Sequence, residues 1–131
     1  MQEDYLLKQL KDVSKVLAAL LGLAKKGDVK EALELSVQTL KVQFNLLENF
    51  SENDIVELLE NKKLSVEDLK QLLDLMVERG NLLASKSTEV AAQEYHKCLI
   101  IIGLIEHNAT TYDLNLIRKK KELEVKYSNI I

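Results

Sequence analysis

At 131 residues, 47% hydrophobic and 30% charged, the chain has the size of one well-buried globular domain and is too short for two ordinary ones. It has no proline and four glycines, too few turn formers for a β-rich fold, while the abundant Leu, Glu, Lys and Ala favour long helices. A formal net charge of −3 makes no global field that would attract nucleic acid, and a single cysteine, Cys98, cannot form an internal disulfide.

The opening "MQEDYLLKQL" is acidic before it turns apolar, unlike the basic start of a secretory signal. The longest apolar runs, 17–24 and 98–105, fall far short of the roughly 20 residues a membrane-spanning helix needs. A cytoplasmic protein with no membrane contact is expected.

Leu6, Leu10, Val13, Leu17, Leu20 and Ala24 recur at three- and four-residue spacing and predict a first helix over 3–26, widened by Leu7 and Leu21. Gly27 stops it, and Asp28 is placed to cap a second helix running to about residue 49. The inner face of that helix reads Val29, Ala32, Leu33, Val37, Leu40, Phe44 and Leu47. So short a join requires an antiparallel hairpin of two long arms.

Ser51 with Asp54, and Ser65 with Asp68, have the three-residue spacing of helix starts. They predict a short third helix carrying Ile55, Leu58 and Leu59, and a fourth over 65–85 with Leu69, Leu72, Leu73, Met76, Val77 and Leu83 inward. After the break "KSTEV", a fifth helix over 88–108 is apolar around most of its girth and belongs at the centre of the core. Thr110 and Asp113 start a last helix carrying Leu114, Ile117, Leu123 and Val125.

Residues that could carry chemistry are few. His96 and Cys98 are two apart and point about 200° from each other on a helix, while His96 and His107 lie roughly 16 Å apart along the axis. Neither pair can hold a metal, and no cofactor is expected. Glu31 with Glu34, and Glu57 with Glu60, read as solvated helix faces rather than an acid–base pair. Phosphate-binding glycine loops and nucleophile signatures are absent, so no enzyme is expected. The basic run "RKKK" (118–121) is interrupted by Glu122 and Glu124 and lacks interleaved aromatic residues, which argues against nucleic acid. Nine acidic residues against three lysines between Glu48 and Glu78 could pair with such a run from a neighbouring molecule.

Two segments resemble tetratricopeptide helical hairpins. In "GDVKEALELSVQTL", Gly27 stands at the turn and Ala32 at the small inward position. In "ERGNLLASKSTEVAAQEYHKCL", Gly80 stands at the close-packing position, with Ala91, Tyr95 and Cys98 inward. The whole chain is similar to an uncharacterised bacterial family of small tetratricopeptide-like proteins, which begin with an Asp-Tyr-hydrophobic helix (here Asp4-Tyr5-Leu6) and carry a "KGD…EAL" turn. The resemblance implies an all-α, tetratricopeptide-like pair of antiparallel hairpins with a short linking helix and a C-terminal helix, in a single domain over 1–131. It departs from the repeat pattern at Leu20, where a small residue is usual, and at "SKST", which lacks the Gly-Asp turn.

The resemblance places Ser14, Leu17, Leu21, Val77, Asn81 and Ala84 on a groove too apolar to hold a terminal carboxylate. Such a surface calls for another helix. The expected function is protein–protein interaction or self-association, with a homodimer as one form. The contact residues are Leu17, Leu21, Val77 and Asn81, and secondarily Arg118, Lys119 and Lys120. The alternative is a helical regulator binding nucleic acid or a small molecule.

Overall fold

The computed structural model describes residues 13–109 and 113–130, which form six α-helices and no strand. These are α1 (Val13–Lys25), α2 (Val29–Phe44), α3 (Glu52–Glu60), α4 (Val66–Ala84), α5 (Thr88–Asn108) and α6 (Leu114–Ile130). The part of the first predicted helix before residue 13, with Asp4, Tyr5, Leu6, Leu7 and Leu10, lies outside the described residues, as does Thr110.

Gly27 ends α1 with φ at 83°. The Asp28 amide donates to the Leu23 carbonyl at 2.9 Å and the Gly27 amide to Ala24 at 3.1 Å. That pair of bonds is the Schellman closure, which satisfies the last carbonyls and which a left-handed glycine permits. Asp28 stands at the N-cap position of α2, but its side chain makes no capping bond there. Its backbone is already committed to closing α1, so one residue serves both helices through the main chain.

The second helix is shorter than its apolar period suggests. Asn45 turns left-handed (φ 55°, ψ 42°) and the Leu46 amide reaches back to the Leu40 carbonyl at 3.0 Å. Asn tolerates this conformation better than most residues other than glycine. The chain then runs as a loop in which Leu46 and Phe50 are buried while Leu47, expected on the inner face, is 62% exposed.

Helices α3 and α4 start as their sequences require. Ser51 with Asp54, and Ser65 with Asp68, each form a complete capping box, in which side chain and backbone satisfy each other reciprocally. The Ser87 hydroxyl accepts from the Val90 amide at the start of α5. At the start of α6, the Asp113 carboxylate accepts from the amides of Asn115 (3.0 Å) and Leu116 (3.2 Å).

Helices α1 and α2 pack on each other and both pack on α4, α4 pairs along its length with α5, and α5 also carries α6 and α3. Helix α4 is therefore almost encircled: Leu69, Leu72, Leu73, Leu75 and Met76 are all essentially inaccessible. Side chains of this size each contribute about 1.5–3 kcal/mol on burial. On the first helix the buried set is Val13, Val16 and Leu20, with Leu17 half-buried and Leu21 exposed. Val16 lies outside the stripe read from the sequence. The α4–α5 pair closes tightly at Gly80, where a Cβ would stand 2.5 Å from Cε1 of Tyr95. Glycine lets the ring lie directly on the α4 backbone.

Candidate functional site

Of the residues singled out on the first helices, Leu17 is half-buried against the core and Leu21 is 48% exposed on α1. Val77 and Asn81 are half-buried on α4, beside α6. A cleft of about 140 Å³ lies between these two helices, lined by Asp74, Val77 and Glu78 from α4 and by Lys119, Leu123 and Lys126 from α6. The Asn81 side-chain oxygen accepts from the Tyr95 hydroxyl at 2.7 Å and from the Lys126 ammonium at 3.0 Å. Val77, Asn81 and Lys119 thus come together because α6 lies along α4, and the acceptor of Asn81 is occupied by neighbours. The cleft mixes both signs of charge over an apolar floor.

The basic run divides by helical phase, since successive residues turn by 100°. Lys119 pairs with Asp74 of α4, and Lys120 with Glu106 of α5 at 3.2 Å. Arg118 and Lys121 make no ion pair among the described residues. The acidic middle divides in the same way. Asp54 and Asp68 are held in caps, Asp74 binds Lys119, Glu48 binds Arg79, and Glu67 binds Lys70. Glu52, Glu57, Glu60 and Glu78 are left without an ion pair among the described residues. Lys70 also bonds Asp113 at 3.1 Å. That contact raises the Lys70 pKa and, with the Leu116 amide, lowers that of Asp113, fastening the start of α6 to α4.

A buried polar cluster has no counterpart in the sequence expectations. Arg79, on α4, is 1% exposed. Its Nη1 donates to the Ser36 hydroxyl of α2 at 2.6 Å and its Nη2 to Glu48 at 3.0 Å, while Nε lies 3.5 Å from the Glu94 carboxylate of α5. Lys97 stands 3.7 Å from Glu94, donates to the Glu48 carbonyl at 3.1 Å and sits over the Phe50 ring. Four segments, α2, the 45–50 loop, α4 and α5, are tied at this point. The guanidinium is the group suited to such a site, because it stays charged and offers five donors in a fixed fork. Its opposite charge is close enough to offset much of the cost of burial. The signal was present: Arg79 continues the α4 row Leu72–Met76, and Glu94 follows Ala91 by one turn on α5.

Cys98 is fully buried, and burial pushes its thiol well above the ordinary range. His96 is exposed and lies near the Tyr127 ring, with centroids 5.9 Å apart. Glu31, Glu34, Glu57 and Glu60 have no part in any such cluster, and Glu57 and Glu60 are exposed. Among the described residues no three His, Cys, Asp or Glu side chains converge closely enough to hold a metal ion. None of the described helices is long and apolar enough to cross a membrane.

Large apolar side chains reach solvent at Leu21, Val42, Leu47 and Val90, and most openly on α6, where Leu114 is 68% and Val125 59% exposed. No family model matches the chain, and neither does any curated protein or solved structure.

Proposed function

We propose that the chain is a non-catalytic protein-interaction module that associates with itself or with a protein partner, built as a tetratricopeptide-like pair of hairpins. The order of packing supports the architecture: α1 with α2, α4 with α5, the second hairpin stacked on the first through α4, and α6 laid on its end. A terminal helix of a helical stack ordinarily turns a polar face outward. The observation that carries the functional reading is that α6 turns Leu114 and Val125 outward. Internal pairing of Lys119 and Lys120 leaves two of the four cations of the 118–121 run for phosphate, which favours a protein partner over nucleic acid at this helix.

Amide NMR spectra recorded along a dilution series test this reading for self-association. Concentration-dependent shifts are expected at solvent-facing helix positions, with the amides around Arg79 and Glu94 unmoved. Spectra superimposable at every concentration would reject self-association and leave the module to a foreign partner.

A further inference from the structure

Helix α6 is seated more lightly than the helices beneath it. Only Leu116 and Leu123 of its side chains are buried, against eight residues on α4 and eight on α5. It rests on α5, and a cleft of about 140 Å³ stays open between it and α4. A second cleft, of about 170 Å³, flanks its first turn beside Lys70 and Ile105. Its ion pairs all reach solvent: Lys119 with Asp74, Lys120 with Glu106 at 3.2 Å, and Asp113 with Lys70 at 3.1 Å. Exposed pairs add little to stability. A helix held by two leucines and such pairs opens at lower free energy than the α4–α5 core.

The same contacts fix a register. Lys119 and Lys126 are seven residues apart on α6, and their partners Asp74 and Asn81 are seven apart on α4. The two rows therefore match, each spanning about 10.5 Å, with α6 running parallel to α4. Leu116 and Leu123, also seven apart, face inward beside that row, and Lys120 reaches Glu106 on the other flank. The order Leu-x-x-Lys-Lys-x-x-Leu-x-x-Lys, residues 116–126, occurs at no other position of the chain. We propose that α6 is exchanged between two copies of this chain, each laying residues 116–126 on the α4–α5 face of the other. The register sets the occupant: the α6 of a second copy makes every contact that the chain's own α6 makes, and no other segment of the chain carries the pattern. Each copy gives and receives the same helix, so exchange closes into a pair about a two-fold axis. The proposal rests on the self-association reading above, but on the inner face of α6 and not on the outward Leu114 and Val125.

The test uses sedimentation of the full chain and of two variants, Asp74→Lys and Lys119→Asp, each first shown by circular dichroism to keep its helix content. Within either variant, and between two copies of it, α6 meets a like charge on α4. In a mixture the exchanged pair is complementary at both contacts, since Lys119 of one copy meets Asp74 of the other and the two new side chains meet each other. The mixture is expected to form one-to-one pairs of about twice 14.9 kDa, at least ~10-fold tighter than either variant forms alone. The chain carrying both changes restores the contact within one molecule and should sediment as the parent does. A mixture no heavier than its separate components, beside a parent whose mass rises with concentration, overturns exchange and leaves self-association standing on another surface. Parent and mixture both monomeric at every concentration overturn the two readings together.

Discussion

Replacing Gly80 by alanine tests the packing of α4 on α5 at its closest point. A Cβ there would lie 2.5 Å from Cε1 and 2.8 Å from Cδ1 of Tyr95, well inside contact distance. The ring has little freedom to retreat, being 3% exposed with its hydroxyl bonded to Asn81 at 2.7 Å. Overpacking of this kind costs about 1–3 kcal/mol, and loss of the phenol bond adds about 0.5–1.5 kcal/mol. Alanine returns about 1 kcal/mol of helix propensity. The net expectation is a destabilisation of about 1–3 kcal/mol, read as a lower urea midpoint at unchanged slope. A Cβ added at Gly22 in α1 or at Gly103 in α5 would meet nothing within 4 Å. Alanine at either should stabilise by up to about 1 kcal/mol. If all three substitutions stabilise alike, the tight α4–α5 contact is wrong.

The Arg79–Glu94 pair should show strong coupling: Arg79→Ala alone costs about 3–5 kcal/mol, while Arg79→Met combined with Glu94→Leu costs far less than the two single changes summed. Additive losses in urea titrations would count against a coupled buried pair. The Lys70–Asp113 contact gives opposite signs at the two ends of the pH scale. The Asp113 pKa is held below 3.8, so its contribution is present above that value and fades as pH falls through the folded pKa. The Lys70 pKa is held above 10.5, so its contribution is present below that value and fades as pH rises through the folded pKa. The melting-temperature gap between the parent and Asp113→Asn should therefore close below pH 3.8, and a gap independent of pH would refute the pairing. Cys98 should resist a thiol reagent in the native state and react fully in denaturant; rapid native labelling would place it elsewhere.

Helix starts were the most legible feature of the sequence, because capping is local: Ser51–Asp54 and Ser65–Asp68 carry both halves of their boxes within four residues. The end of α2 was not legible, since its apolar period continues through Leu47 and only the conformation of Asn45 breaks it. The Arg79 cluster escaped for another reason. A charged residue reads as surface until its partner is known, and the partners of Arg79 lie as far away as Ser36, 43 residues distant. The same limit divided the basic run. Sequence identified four adjacent cations, but only the placement of α6 against α4 and α5 shows that Lys119 and Lys120 are paired within the chain and that Arg118 and Lys121 are available.

Solution mass against protein concentration, measured by light scattering at low and high salt, tests the self-association reading most directly. The expected result is a mass above 14.9 kDa that rises with concentration. A value of 14.9 kDa at every concentration and salt would contradict self-association.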